Sequence, residues 1–351
     1  MLLQELSEAI GVSGNEDAVR AIILKAIDGH ATDITIDPMG NVTAIKKGTG
    51  KNRPRVMLDA HMDEIGFMVT SIGSDGLIKF TNVGGIDERM VPALRVKIGN
   101  DQVPGVVIWT PIHKSGGNNN TVKLSDLRID IGASTKEEVN GKVKVGDRIA
   151  FDSRYMEIGA KMLRGKAFDD RVGCSLLIDI LQGGPYPVDV LAAFTVQEEL
   201  GLRGSKVAAQ RLNPDVGFAL EGTTANDIPN PMAEPDDQIP PNPVCRLGDG
   251  PALTVMDSSL IVPPQLLNFL RETADKNKIP YQLKSHLGGG TDAGAIHRAN
   301  AGIPSAVISV PCRYIHAPTA YLNRDDYDNT LKLIQAALKD IKWEAVRAIG
   351  Q

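Results

Sequence analysis

Aromatic residues make up only 4% of the chain, and the formal net charge is -5. A nucleic-acid interface needs basic residues for phosphates and aromatic faces for bases, so that class is excluded. No apolar run approaches the roughly 20 residues that cross a bilayer, so no membrane partner is expected. The opening stretch, Met1 to Ile10, is amphipathic and acidic and lacks the basic and apolar regions of a secretion signal. Cysteine is scarce as well. Cys174, Cys245 and Cys312 are far apart and odd in number, which argues against disulfides and against a cysteine-ligated zinc site. They read as small buried thiols in a cytoplasmic protein.

What is present is ordinary in bulk and unusual in detail. The 351 residues, 42% of them hydrophobic, suffice for two domains and a substantial core. Ala18, Ile22, Ile23 and Ala26 recur at helical spacing after polar residues that can cap a helix, and Gly29 follows its end. Strand-like segments come next at 32–37, 42–46 and 55–60; the turn Pro38-Met39-Gly40-Asn41 makes the first two a hairpin. From about Ile65 to Leu163 short β-like segments alternate with Gly, Pro and Asn turns, and 114–120 reads as a mobile loop. This texture predicts a small all-β, barrel-like domain, residues 66–162, inserted into a domain made of 1–65 and 163–351.

Beyond Arg164 the pattern is α/β. Helices are expected at 172–181, 202–211, 263–277, 292–300 and 324–347, and strands at 188–196, 216–220, 281–284 and 303–310. The segment 224–249, rich in Pro and Asp, reads as a long surface excursion. The fold class is therefore α/β, a mixed sheet flanked by helices, plus the inserted barrel.

The most informative string is Gln197-Glu198-Glu199, which follows the apolar run 188–196. Adjacent carboxylates at the end of a buried strand repel each other, and strand packing does not call for them. A metal ion does: one Glu can bind it while its neighbour acts as a base on an activated water. The same pattern recurs along the chain. His61 follows 55–60, Glu221 follows 216–220, and His316 follows 311–315; Asp169-Asp170 precedes a helix. In α/β folds the ligand crevice forms at the carboxyl ends of the strands. Each residue also has a plainer explanation. His61 can be a core histidine, and Asp63 a turn residue instead of its partner carboxylate two positions on. Asp169 can be a helix cap instead of a bridge between two metals, with Asp170 left to pair with Arg171. Glu221 can be exposed, and His316 an ordinary loop histidine. His30, His113 and His297 read as structural. His286 precedes the glycine run 288–290, which lacks a phosphate-loop pattern and suits backbone approach to a substrate.

Taken together, these strings resemble the M42 metallo-aminopeptidases of the dinuclear-zinc peptidase clan, the glutamyl and tetrahedral aminopeptidase type. The matching segments are Asp59 to Gly66, Phe168 to Gly173, Val196 to Gly201, Ala219 to Thr223, Gly289 to Ala293 and Tyr314 to His316, in family order over nearly the whole chain. The resemblance implies a zinc-exopeptidase-like catalytic domain. It implies two divalent ions per subunit, Zn or Co with Mn possible, bridged by Asp169. His61 and Glu221 complete one metal site, and Glu199 and His316 the other. Glu198 matches the general base and Asp63 the carboxylate that orients His61. Glu221 stands where this clan often has Asp. The resemblance also implies a cis peptide between Asp169 and Asp170, a dimerisation role for the β insertion, and dimers that assemble into a tetrahedral dodecamer.

The expected activity is removal of N-terminal residues from short peptides, with a water shared by the metals supplying the nucleophile. The rivals are a deacetylase or carboxypeptidase of the same clan, a glycoside hydrolase using paired carboxylates, and a shell-forming scaffold without activity. A pocket for acidic N-terminal residues needs a basic group, for which Arg89, Arg203, Arg246 and Arg313 are candidates.

Overall fold

The computed structural model describes residues 2–109, 122–228, 244–284 and 288–347. The loop 114–120, His113, His286 and most of the excursion 224–249 lie outside the described residues.

Two short helices open the chain, α1 (Leu2–Glu8) and α2 (Asp17–Ile27). No side chain caps α2, contrary to the expected polar cap. The hairpin β1 (Thr32–Ile36) and β2 (Val42–Lys46) follows, then β3 (Arg55–His61). The hairpin turn is closed by Asp37, whose Oδ1 accepts from the backbone N–H groups of Met39, Gly40 and Asn41.

Six antiparallel strands then close a separate barrel in the order β4-β5-β8-β7-β6-β9. They are β4 (Gly66–Ile72), β5 (Ile78–Val83), β6 (Arg95–Ile98), β7 (Val103–Ile108), β8 (Arg128–Asp130) and β9 (Arg148–Phe151). A one-turn helix, α3 (Lys136–Val139), lies between the last two and is capped by Thr135. Phe67 fills the barrel, with Phe80 and Phe151 edge-on to its ring at 5.1 and 5.7 Å.

The chain returns through β10 (Met156–Ile158) and β11 (Met162–Gly165), which pair into the large sheet and not into the barrel. It continues through α4 (Phe168–Gln182), β12 (Asp189–Thr195), α5 (Arg203–Leu212), β13 (Val216–Thr224), β14 (Ala252–Thr254), α6 (Pro264–Lys276) and β15 (Gln282–Lys284). Next come α7 (Ala293–Ile296), β16 (Ser305–Arg313), β17 (Ala320–Asn323), α8 (Arg324–Asp340) and α9 (Trp343–Arg347). Two expected helices differ. The one at 292–300 is a single turn, and the closing helix breaks after Asp340, where Ile341 turns extended to bury its side chain.

The large sheet runs β1-β2-β12-β3-β13-β16-β17-β11-β10, with β14 and β15 attached at β16. Its centre, β12-β3-β13-β16, is parallel and its flanks are antiparallel. The central strands are apolar at nearly every position because both faces are covered. Val56, Leu58, Val190 and Phe194 pack toward α1, α2, α4, α6 and α8; Met57, Leu191 and Ala193 pack toward α5 and α7. All three cysteines are buried and free.

Candidate active site

Four neighbouring parallel strands end on one side of the sheet, and this places the chemistry. His61 is the last residue of β3 and pairs with Thr195 at the end of β12. Ala219 of β13 lies opposite Asp59, so Glu221, two residues on, is level with His61. Glu198 and Glu199 follow β12, and His316 follows β16. Asp169 comes from the start of α4, where Asp169 and Asp170 are not helical and the peptide between them is cis. Five strings scattered between residues 61 and 316 thus meet in one cleft.

Asp169 is central. Its Oδ1 lies 3.3 Å from His61 Nε2 and its Oδ2 lies 3.6 Å from His316 Nε2. Each histidine has a second carboxylate of its own: Glu221 at 3.7 Å from His61 Nε2, and Glu199 at 3.3 Å from His316 Nε2. Glu198 approaches the same group from the side of His61 and Glu199. The other nitrogen of each imidazole is held by the protein. His61 Nδ1 faces the Asp63 carbonyl at 3.2 Å and the Asp63 carboxylate at 3.4 Å. His316 Nδ1 donates to the Gly85 carbonyl at 3.0 Å, so the loop after barrel strand β5 orients a histidine that follows β16 of the large sheet.

Asp63 reaches His61 although it lies outside β3, so strand alternation is not the reason. Its fully buried carboxylate accepts from Ser13 Oγ at 2.6 Å and from the backbone N–H groups of Glu198 and Glu199 at 3.0 and 3.2 Å. It therefore ties His61 to the segment that carries the glutamates. Asp170 does not pair with Arg171. Its oxygens accept from the backbone of His61 and Gly173. Arg171 is buried against Glu64 and the carbonyl of Met62, and Glu64 also holds buried Lys166 at 2.6 Å. Burial pushes the Lys166 ammonium down to about 8.

The electrostatics are those of a site short of positive charge. Burial pushes Glu198, Glu221 and Asp170 well above the usual carboxylate range, and neighbouring carboxylates add to the shift. Glu199 is raised by burial despite His316. Asp169 moves the other way: burial opposes it, but the two histidines hold it strongly ionised. Burial alone would lower both imidazoles. Contacts with Asp169 and Asp63 lift His61 well above its ordinary value, and Asp169 and Glu199 push His316 up to about 11. Carboxylates this crowded need cations, and imidazole with carboxylate oxygen is a donor set that divalent metals accept.

Backbone strain gathers at the same place. Ala167, Gln197, Tyr314 and His316 adopt left-handed φ without being glycine. Each costs about 1–3 kcal/mol, and such residues concentrate at functional sites.

The cleft opens into a cavity of about 800 Å³, within the range of small-ligand sites. The glycine run 288–290 lines it, as its sequence suggested. None of the four arginines proposed for an acidic-residue pocket does so. Arg313 is paired with Asp227, Arg89 with Asp87 and Arg203 with Gln197, while Arg246 is fixed through its backbone to Gln282. Lys284, which no sequence pattern singled out, does line the cavity. A buried pair beside the site also escaped the sequence. Asp292 accepts from Thr195 Oγ1 and Ser205 Oγ, and Asp59 faces it. Burial and the Asp292 carboxylate push Asp59 well above the usual carboxylate range.

This architecture, a helix-flanked mixed sheet with a separate six-stranded barrel, matches the TET peptidase fold. The TET1 peptidase of Pyrococcus horikoshii, which forms a tetrahedron or a large octahedral shell, superposes with a TM-score of 0.84 at 31% identity, covering 97% of this chain and 99% of that one. The chain belongs to the M42 peptidase family: the model for M42 glutamyl aminopeptidase matches residues 40–333. It is a peptidase, with aminopeptidases as its relatives. It is 37% identical to a putative aminopeptidase of Acetivibrio thermocellus, over 96% of this chain and 97% of that protein. It is 32% identical both to the glutamyl aminopeptidase of Lactococcus lactis, over 99% and 98% of the two chains, and to the lysyl aminopeptidase of Pyrococcus furiosus, over 97% of each. An aminopeptidase structure from Desulfurococcus kamchatkensis matches with a TM-score of 0.92 at 35% identity, covering 100% of this chain and 97% of that one. A Thermotoga maritima structure described as an endoglucanase matches with a TM-score of 0.80 at 36% identity, over 99% of both chains.

Proposed function

We propose that the chain is an aminopeptidase that works with two divalent metal ions. The observation that carries this reading is the placement of Asp169, whose two oxygens face two different histidines, each backed by its own glutamate. His61, Asp169 and Glu221 would hold one ion; His316, Asp169 and Glu199 would hold the other. Zn and Co suit this donor set, and Mn is compatible with it. When bound, such a pair lowers the pKa of a shared water and polarises the scissile carbonyl.

The protein's own groups do the rest. Glu198 takes a proton from the attacking water and returns it to the leaving amine. Its buried surroundings raise its affinity for that proton, which suits a group that must accept and then hold it. Asp63 keeps Nδ1 of His61 engaged, so that Nε2 faces the cleft. Gly85 does the same for His316. The surplus of carboxylates at the cleft floor favours a cationic substrate group, the free α-ammonium of a short peptide.

Replacing Glu198 by Gln should lower turnover of an aminoacyl-p-nitroanilide by about 10²–10⁴-fold. Metal content, measured by plasma emission, should stay at two ions per chain. Retained activity would remove Glu198 from the role of base.

The likeness to a protein described as an endoglucanase brings glycoside hydrolysis into the comparison. Paired carboxylates suffice for that chemistry, and histidines between them are not required. A chelator separates the two: it silences a metal peptidase and leaves a metal-free glycosidase active. N-acyl amino acids, assayed beside aminoacyl substrates, separate a deacetylase or carboxypeptidase.

We also assign residues 1–65 and 163–351 to catalysis and the insertion 66–162 to dimerisation. Val106, Trp109 and Val145 are exposed hydrophobic residues within that insertion. The TET1 peptidase of Pyrococcus horikoshii assembles into a tetrahedron or a large octahedral shell; for this chain the assembly to test by light scattering is a tetrahedral dodecamer built from dimers. Among the described residues no helix is long and apolar enough to cross a membrane.

A further inference from the structure

The relatives include both a glutamyl and a lysyl aminopeptidase, so membership of the family leaves open which N-terminal residue this chain takes. We propose that Lys284 makes it selective for acidic N-terminal residues, by receiving the side-chain carboxylate of glutamate or aspartate.

Lys284 ends β15 and lines the cavity that also contains Asp169, Glu198, Glu199 and His316. Among the described residues it is the only lysine or arginine there. Its backbone is held firmly: it pairs with Thr254 of β14, and its carbonyl accepts from Val255 N at 2.9 Å. Its ammonium donates to Thr223 Oγ1 at 2.7 Å. An ammonium has three N–H donors, and among the described residues the contact to Thr223 occupies one of them. The remaining donors are available to a ligand.

The position suits a side-chain pocket. Thr223 lies two residues beyond Glu221 on β13, and residues two apart share a face at about 7 Å. A substrate whose main chain sits against the carboxylates of the site can therefore extend a short side chain to Lys284. Asp257 also lines the cavity but does not neutralise the lysine. Its oxygens are already taken by Ser259, Leu260 and Thr291. A lysyl or arginyl side chain entering here would meet the like charge of Lys284, which selects against it.

This assignment rests on the aminopeptidase reading, so the test has two arms. The first compares glutamyl-, aspartyl-, leucyl- and lysyl-p-nitroanilide with the cobalt- or zinc-loaded protein. Wild type should favour the acidic pair. Lys284→Ala should lower kcat/KM for the glutamyl substrate by about 10- to 100-fold, the range of a hydrogen bond to a charged group, and leave the leucyl substrate within about 3-fold. Lys284→Arg should keep the preference, and Lys284→Glu should turn it toward lysyl. Should Lys284→Ala fail to fold, Lys284→Met serves instead. The assignment is overturned if wild type prefers leucyl or lysyl substrates, or if the variant loses all four equally. The second arm measures binding of free L-glutamate and L-leucine by calorimetry. Glutamate should bind more tightly, and the difference should vanish in the variant. If no aminoacyl substrate turns over, the proposed function fails, and the binding arm alone decides for or against Lys284.

Discussion

At the scale of single residues, the site depends on side chains that hold other side chains. Asp63 touches His61 and the backbone of both catalytic-segment glutamates, with Ser13 behind it. Asp63→Asn removes the charge that favours the His61 tautomer with Nε2 free. Metal affinity should fall about 10- to 100-fold, as for other groups that orient a ligand histidine. Competition with a chromophoric chelator measures it, and an unchanged affinity would reduce Asp63 to a packing residue. The sequence pointed to Asp63 by its spacing from His61, but the contact arises from the turn after β3. Lys284 shows the opposite case. A lysine in a short polar strand carries no mark of its own, and its meaning appears only when β15 is laid beside β14 and its side chain reaches Thr223 on β13.

At the scale of elements, the site needs α4 pressed tightly on β13. Gly173 permits this: a Cβ there would stand 2.5 Å from the Leu220 carbonyl and from the Asp170 carboxylate. The carbonyl belongs to a central strand and cannot step aside. Gly173→Ala should cost about 1–3 kcal/mol of stability, the range for overpacking a core. It should also lower activity by displacing Asp170 and Asp169. Urea unfolding checks the first expectation, and a stability within error of wild type would refute it. A second element-scale device lies at the start of α8. Asp326 accepts from the backbone N–H groups of Gly248 and Gly250, pinning the end of the excursion to the helix. Burial raises its carboxyl to about 6 from the ordinary 3.8. The folded chain therefore binds more protons here than the unfolded chain between those values, and this contribution to stability is lost as pH rises through about 6. Asp326→Asn should flatten the stability profile over that window, measured by urea unfolding of the metal-free protein. Most helices and central strands were legible from periodicity. β8, β10, β11, β14 and β17 were not, because segments of three or four residues have too few side chains to show a period.

At the scale of the whole molecule, the large sheet and the segment that follows barrel strand β5 meet at one site. The barrel supplies the Gly85 carbonyl that orients His316, so movement between barrel and sheet would reach the cleft directly. The cluster buries several carboxylates together, and burial pushes Glu198 and Glu221 toward protonation. Metal binding should therefore stabilise the entire fold. At 100-fold excess over the dissociation constant, each site adds about 2.7 kcal/mol. Thermal unfolding with and without chelator checks this, and an unchanged melting temperature would argue against ions in the cluster.

The sequence alone determined the composition of the site: apolar strands, each followed by one imidazole or carboxylate, at intervals that only an α/β crossover can bring together. It also determined the barrel-like insertion, through its turn chemistry. Tertiary structure decided which oxygen faces which nitrogen, that Arg171 serves Glu64 in place of Asp170, that Gly85 reaches His316, and that a lysine rather than an arginine overlooks the cleft. The physical reason is that strand and helix periods are local properties of the chain. Contacts across the carboxyl edge of the sheet depend on strand order and register, which no single segment contains.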